Sequence, residues 1–344
     1  MKRYFLSLVF VIIAGSATSV SANDTMVTLG AGGLVPVKTS EIVMESEKLQ
    51  IGLHNITIGY VFRNTSNRDI DATIAFPLPK LDGGELYNEP IRLPKKEDNN
   101  FVDFKVMEHG NVIPVTMEIR AFLEGKDITA HLASFGLRSS VLLEPLNSAL
   151  LKLTAPQRSQ LETEKLIVKD GFNPPLRSSG ENGWWANWSM HVQFYWTQHF
   201  PAGKTVELTE SYKPVVGGSY ISGMDDGDYS IKDYCGNASH LKQIKAIEEG
   251  LPKKQKEGGI TLTERDIDYI LTTANNWSGP IRHFDLAIDT DDPNDIMLTC
   301  FPEIKQVSAT EYSLHKDNFH PDREIALRIL QANHIVDCQG IGCL

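Results

Sequence analysis

The feature that most constrains the fold is a run of alternating apolar and polar residues between positions 49 and 79. Apolar side chains occupy every second position over residues 56–62 and again over residues 70–76, and a polar turn at 64–69 separates them. A period of two is typical of a half-buried antiparallel sheet. The phase changes after residue 53, so a bulge or tight turn is expected at 54–55. The residues predicted to face the core are Ile56, Ile58, Tyr60, Phe62, Ile70, Ala72, Ile74 and Phe76.

Two short helices are predicted to interrupt the strands that follow. Asp127 can cap the first, and Thr154 can cap the second, with Pro156 in its first turn. Alternating strands return at residues 191–212. Residues 23–218 are therefore predicted to form a β-sandwich with a helical insertion over about residues 125–185.

A stretch rich in Gly, Ser and Asp at residues 217–227 suggests a domain boundary. Beyond it, residues 238–249 have helical spacing, and further runs alternate as strands do. We predict a second β-rich domain over residues 228–332 with one N-terminal helix, and a cysteine-containing tail at 333–344. The fold class is thus mainly β, as two β-sandwich-like antiparallel domains.

The first 22 residues have the pattern of an export signal. Lys2 and Arg3 precede an apolar stretch at residues 4–14, which is too short to span a bilayer, and small residues end the segment at Ala22. Cleavage is predicted after Ala22, with an uncleaved anchor as the alternative. No cysteine lies near that site to take a lipid, and no later apolar run is long enough to cross a membrane. The expected location is therefore periplasmic or secreted, with no transmembrane segment after cleavage.

The charge balance argues against a nucleic-acid partner. The formal net charge is −11, whereas binding to phosphates requires clustered Lys and Arg. The basic cluster at residues 253–256 is followed at once by Glu257 and is interpreted as a solvated loop.

All four cysteines lie in the last third of the chain. An even number in an exported protein indicates disulfides, and four cysteines allow three pairings. Cys235–Cys300 with Cys338–Cys343 is the favoured arrangement. A zinc site is the alternative, although the sequence has no Cys-x-x-Cys pair.

The chain contains six distinctive motifs, at Asn23–Thr25, Gly32–Leu34, Phe62–Asn64, Ala75–Pro79, Phe200–Gly203 and Tyr269–Ile281. These motifs resemble an exported bacterial family called domain of unknown function 4424, and the likeness covers nearly the whole mature chain. The family implies a compartment and a chain-long domain, and it implies no mechanism. A second resemblance, to the vault and inter-α-trypsin-inhibitor-type β-sandwich domain, involves the Phe62–Asn64 turn, Phe76–Pro79 and Pro201–Val206.

No sequence motif indicates a ready-made reaction centre. The sequence lacks the G-x-S-x-G elbow of hydrolases and the His-Glu-x-x-His motif of zinc proteases. Two acidic runs, at residues 225–228 and 289–295, could bind calcium, although neither fits the twelve-residue calcium loop. The second run also has good turn chemistry. No catalytic residue, metal or cofactor is predicted, and the weak calcium candidates are Asp289, Asp291, Asp292 and Asp295.

Tryptophans are concentrated beside a Gly- and Pro-rich loop. Trp184, Trp185 and Trp188 could form a contact surface, because exposed indoles stack on sugars and anchor protein partners. The alternative is that they cover the helical insertion against the sandwich.

These patterns favour a non-enzymatic role in binding or assembly within the bacterial cell envelope. The partner would be an envelope protein or a glycan. The alternative function is that of a hydrolase or carbohydrate-active enzyme, with a site built from scattered residues near the Trp-rich loop.

Overall fold

A computed structural model describes residues 23–30, 33–88, 91–95, 100–169, 183–221, 231–251 and 262–332. The predicted signal, the Asp225–Asp228 run, Cys338 and Cys343 lie outside these residues. The strands of the first half are β1 (Thr25–Gly30), β2 (Gly33–Pro36), β3 (Ile42–Gly52), β4 (Ile56–Asn64), β5 (Ile70–Pro77), β6 (Leu81–Asp82), β7 (Lys105–Glu108), β8 (Asn111–Ile113), β9 (Thr116–Leu123), β10 (Lys126–Asp127), β11 (Ile167–Lys169), β12 (Trp184–Ala186), β13 (Ser189–Phe200) and β14 (Thr205–Tyr212).

The second half continues the same mainly β pattern. Its strands are β15 (Tyr220–Ile221), β16 (Leu262–Tyr269), β17 (Ile281–Asp289), β18 (Ile296–Leu298), β19 (Lys305–Gln306), β20 (Glu311–Phe319) and β21 (Ile325–Ala332). The helices of the described residues are α1 (Gly83–Asn88), α2 (Thr129–Ser134), α3 (Leu143–Leu150), α4 (Ala155–Thr163) and α5 (Ala238–Gly250), with a 3-10 helix at Thr272–Asn276.

Two large sheets face each other and enclose the main core. One has the order β10-β9-β13-β5-β1-β2, with β6 paired to β13, and the other has the order β19-β20-β17-β3-β4-β14-β7-β8. Aromatic rings join them across the interior: the ring centroids of Phe62 and Phe200 are 6.0 Å apart, and those of Phe76 and Tyr212 are 5.5 Å apart. Such interdigitation of the two inner faces defines a β-sandwich.

The alternation at residues 56–76 is confirmed as two strands of opposite sheets. In β4 the odd side chains are less buried than the even ones, as predicted. The predicted phase change is a hairpin turn, closed by a bond from the Gly52 N–H to the Asn55 carbonyl at 3.0 Å. The mainly β class is therefore confirmed.

The second half of the chain contributes strands to the sandwich itself. Strand β17 lies parallel to β3, with Leu286 opposite Leu49 and Ile288 opposite Ile51, and β20 and β19 follow it toward the sheet edge. Among the described strands of this half, β15, β16, β21 and β18 form a separate four-stranded sheet. The layout thus differs from two independent antiparallel domains divided near residues 218–228. Alternation predicts that residues 281–289 form a strand, but it carries no information about which strand will pair with them.

Three helices build the predicted insertion. Thr154 caps α4 and forms a reciprocal capping box with Gln157, and the Asp127 carboxylate accepts the Thr129 N–H at 2.8 Å at the start of α2. Helix α3 was not predicted, because its N-cap residue, Leu142, provides no side-chain cap.

A disulfide holds the four-stranded sheet and α5 together. Cys235 precedes the helix and is bonded to Cys300, which follows β18, so this predicted pairing is confirmed. A small second core packs beneath the helix, made of Ile231, Ile244, Leu262, Ile296, Leu298 and Leu330.

Candidate functional site

A cleft of about 350 Å³ lies where the four-stranded sheet meets the sandwich. This volume is within the range of small-molecule sites. Strands β16 and β21 and residues 217–219 form one wall, and residues 78–85 with Tyr212 and Val102 form the other. The charged residues that line it are Lys80, Glu85, Glu264, Asp266, Asp268 and Arg328.

Arg328 organises the wall that β16 and β21 provide. Its Nε and Nη2 atoms each donate to an oxygen of Asp266 at 2.7 Å, and its Nη1 donates to Glu264 at 3.1 Å. The guanidinium carbon lies 4.3 Å from the centroid of the Tyr234 ring, a cation–π contact. Asp266 and Arg328 are directly opposite in the β16–β21 pairing, which sets this geometry. The guanidinium charge is therefore already balanced by protein carboxylates.

Residues 217–219 lie against β16 at the rim of the same wall. Gly217 forms a two-way backbone bridge with Asp266 at 3.0 Å in each direction, and the Ser219 hydroxyl donates to Glu264. Gly218 has φ +147°, and a Cβ added there would be 1.9 Å from the Glu264 carbonyl oxygen. Glycine at this position allows the loop to approach the strand closely enough to shape the cleft.

Asp268 is the carboxylate of β16 left available to a ligand. Its side chain is exposed to the cleft, and it makes no hydrogen bond or ion pair with any residue of the described ranges. Desolvation by the surrounding protein, together with repulsion from Asp266 and Glu85, raises the pKa of the Asp268 carboxyl to about 6. Glu85 reaches this space from α1 on the sandwich side. Two unneutralised carboxylates thus face the cleft from opposite walls.

The predicted tryptophan surface is divided between buried and partly exposed residues. Trp188 is 1 % exposed and its indole N–H donates to the Ser139 carbonyl at 2.9 Å, while Trp184 is 8 % exposed and donates to Glu162 at 2.7 Å. Trp185 is partly exposed and stacks on Tyr87 at 5.6 Å. The predicted contact role of these three residues stays a prediction.

The calcium candidates lie at the end of β17 and in the loop before β18, where Asp289 and Asp292 accept hydrogen bonds from nearby backbone N–H groups. The Asp289 carboxylate accepts the Asp291 N–H at 3.0 Å, and the Asp292 carboxylate accepts the Asn294 N–H at 2.8 Å. Asp295 accepts from the Gln331 amide at 2.8 Å. Within the described residues, no group of three or more His, Cys, Asp or Glu is placed to hold a metal ion.

The cleft residues were not singled out from the sequence, although a signal was present. Glu264, Asp266 and Asp268 alternate along β16 and therefore share one face. Three acids at a spacing of two on a single strand are costly unless a cation or solvent faces them. The opposite face, with Ile267 and Tyr269, was recognised as core.

Comparisons with known proteins establish a family and little beyond it. Among curated proteins none matches this chain significantly. The solved structures include one named as a candidate nutrient binding protein from Legionella pneumophila, with 13 % identity and a TM-score of 0.44, covering 90 % of this chain and 70 % of that one.

The Mu homology domain of Fcho1 from Danio rerio shares 7 % identity at a TM-score of 0.16, over 86 % of this chain and 81 % of that one. Sequence identities and TM-scores this low support no conclusion about a ligand. The resemblance to the vault and inter-α-trypsin-inhibitor-type domain is not confirmed.

In the part of the chain that the structure describes, no helix is both long and apolar enough to span a bilayer. Residues 22–330 match the family described as domain of unknown function DUF4424, and the chain belongs to that family.

Proposed function

We propose that this chain is an exported binding protein, without catalytic activity, whose cleft holds a small ligand bearing at least one ammonium group. The observation that carries the proposal is the available carboxylate of Asp268, which faces Glu85 across a cleft of ligand size. The lining contains two more carboxylates than cations. An ammonium ligand would relieve the repulsion between these acids and would supply the hydrogen-bond donors that they lack.

The shape of the cleft suits a short aliphatic amine. Its floor and sandwich wall include apolar side chains such as Leu78, Val102 and Tyr212, which can cover methylene groups while the carboxylates bind the charged ends. Because Arg328 is held by Asp266 and Glu264, it is not free to recruit an anion. The arrangement therefore favours cations over carboxylate ligands of equal size.

Export is part of the proposal and is supported by the sequence. Residues 1–22 have the order of a cleavable signal, and the Cys235–Cys300 disulfide is typical of an oxidising compartment. The proposed location is the periplasm or the exterior of the cell.

A matched series of four-carbon probes tests the ligand class. Putrescine, 1,4-butanediol and succinate differ in their end groups and share a chain length. Thermal unfolding of the full mature chain should shift upward with putrescine, because a ligand that binds the native state stabilises it, and should not shift with the other two. A shift with succinate or butanediol alone would contradict the proposal.

Two variants place the effect at the cleft. Asp268→Asn keeps the size of the side chain, removes its charge, and should abolish most of the putrescine shift. Glu207→Gln removes a carboxylate from the exposed face of β14 and should leave the shift intact. An equal loss in both variants would indicate a general charge effect instead of a site.

The enzyme alternative centred on the Trp-rich loop stays a prediction. The thermal-unfolding assay also distinguishes a glycan ligand from an amine. Neutral oligosaccharides have no cationic group that could pair with Asp268, so Asp268→Asn should not change their effect. Stabilisation by such sugars that Asp268→Asn does not reduce would favour the glycan over the proposed ligand.

A further inference from the structure

Among the described residues, three carboxyl groups are fully buried inside the sandwich. Asp24 immediately precedes β1, Glu47 lies on β3, and Glu210 lies on β14, and each is 0 % exposed. Isolated buried carboxylates are costly, so a protein pairs them with a cation, bonds them fully, or keeps them protonated. These three groups, together with Asn23, are called the buried acid cluster below.

The hydrogen bonds within the buried acid cluster are incomplete. Glu47 accepts from the Asn23 side-chain amide at 3.0 Å and from the Tyr269 hydroxyl at 3.3 Å. Asp24 and Glu210 face each other, and neither carboxylate accepts a hydrogen bond from an N–H group of the described residues. Burial raises the pKa of the Asp24 carboxyl and repulsion from Glu47 adds to this, while the hydrogen bond with Glu210 lowers it. Burial, followed by repulsion from Asp24 and Glu47, raises the pKa of the Glu210 carboxyl. The cluster thus contains more acceptors than donors.

In the part of the chain that the structure describes, no basic side chain compensates for this excess. Within the described ranges, Lys, Arg and His form no ion pair with Asp24, Glu47 or Glu210. These carboxyls are therefore neutral unless a positive charge reaches them from another part of the chain.

Asn23 is held at the centre of the same cluster. It is 0 % exposed, its backbone N–H donates to Thr273 Oγ1 at 2.6 Å, and its side-chain oxygen accepts from the Tyr60 hydroxyl. The indole of Trp277 donates to the Asp24 carbonyl at 2.7 Å and fixes the next residue. Burial of this kind is unusual for a residue predicted to begin a mature chain, because chain termini normally lie at the surface.

We infer that cleavage of the signal after Ala22 releases an α-ammonium group on Asn23 that becomes the buried counter-charge of Asp24, Glu47 and Glu210. A signal peptidase would add one water across the Ala22–Asn23 peptide bond, leaving a carboxylate on Ala22 and an ammonium on Asn23. The inference relies on the proposed export and is independent of what the cleft binds.

The new terminus supplies what the cluster lacks. The amide nitrogen of Asn23 has one N–H, which Thr273 already accepts, whereas the ammonium has three. Two further donors and one positive charge then become available at Asn23, whose side chain already donates to Glu47. Processing would therefore complete the interior of the sandwich, and the unprocessed chain would retain an uncompensated group of acids.

Chemical labelling tests the location of the terminus. The full chain purified from the envelope should begin at Asn23 by N-terminal sequencing. Its α-amino group should react with an aldehyde label at least a hundredfold more slowly in the native than in the denatured protein. A different first residue, or rapid labelling of the native chain, would overturn the inference even if export itself were established.

A charge cycle tests the function of the terminus. One mature chain begins at Asn23, and a second carries a single additional Gly before it. The added residue moves the ammonium away, so the second chain should lose at least about 5 °C of Tm. Glu210→Gln should lower the Tm of the first chain and leave unchanged or raise that of the second.

Glu207→Gln, on the exposed face of the same strand, should have little effect in either chain. Equal losses from Glu210→Gln in both chains would show that the terminus and the acid do not interact, and would overturn the inference. If the extended chain does not fold, the labelling result alone decides.

Discussion

The guanidinium carbon of Arg328 lies 4.3 Å from the centre of the Tyr234 ring, and the same group donates two hydrogen bonds to Asp266. This arrangement connects β21, β16 and the segment before α5, and it forms one wall of the cleft. Its rigidity depends on the planar fork of arginine, which an ammonium group cannot reproduce.

Arg328→Lys should therefore destabilise the protein even though the charge is kept. Loss of the paired bonds to Asp266 should cost about 2 kcal/mol of unfolding free energy. Denaturant unfolding measures the change. Arg323→Lys is the control, because Arg323 is exposed and pairs with its neighbour Asp322, so its cost should be near zero. Equal effects would mean that the cleft wall does not depend on the arginine fork.

Amine binding should depend on pH through Asp268. Its pKa is raised to about 6 in the free protein, so the carboxylate that attracts a cation is lost as the pH falls below that value. Affinity for putrescine should be constant above pH 7 and should fall about tenfold per pH unit well below 6. Titration calorimetry across pH 5–8 measures this, and an affinity that rises on acidification would be inconsistent with the assignment.

The same group should cost stability when no ligand is bound. A carboxyl whose folded pKa lies above its usual value contributes most to stability at low pH, and that contribution is lost as the pH rises toward about 6. Asp268→Asn should therefore raise Tm slightly at pH 7.5 and have no effect below pH 4. Thermal unfolding at the two pH values provides the measurement, and a lower Tm at pH 7.5 would contradict this view of Asp268.

Gly218→Ala should distort the rim of the cleft, because the added methyl group would lie 1.9 Å from the Glu264 carbonyl oxygen at an unfavourable φ. We expect a loss of more than about 2 kcal/mol of stability together with loss of amine binding. Gly217→Ala is the matched control, since a Cβ there has its nearest contact at 3.7 Å. Tolerance of both substitutions would show that residues 217–219 do not need this close approach.

The disulfide should contribute substantially to stability. Cys235 and Cys300 are 65 positions apart, and closing a loop of that length stabilises by about 4 kcal/mol. The Cys235→Ser, Cys300→Ser double variant should lose this amount in denaturant unfolding. A loss below about 1 kcal/mol would indicate that α5 and the four-stranded sheet are held by their small core alone.

Much of the fold could be predicted from local patterns. Alternation predicted β4 and β5, and the change of phase predicted a bulge or tight turn at 54–55, where the structure has a hairpin turn. Which strands pair with each other could not be predicted in this way. The parallel pairing of β17 with β3 depends on contacts between residues more than 200 positions apart. Local periodicity is the same whichever strand pairs with it.

The candidate site was harder to predict, because it also depends on contacts between residues that are far apart in the sequence. The acids of β16 look like a solvated strand face until the fold places Glu85 and Tyr212 across from them. Likewise, Asn23 and Asp24 look like an exposed chain start, and only the sandwich brings Thr273 and Trp277 onto them. The family motifs at the two ends of the chain are thus neighbours in space.

The most direct test of the proposed function is calorimetric titration of putrescine into the full mature chain at pH 7.5, beside Asp268→Asn and Glu207→Gln. Saturable one-site binding is expected for the wild type and for Glu207→Gln, with affinity at least tenfold weaker in Asp268→Asn, which corresponds to about 1.4 kcal/mol. Absence of binding to the wild type, or equal affinity in all three proteins, would contradict a cation site in the cleft.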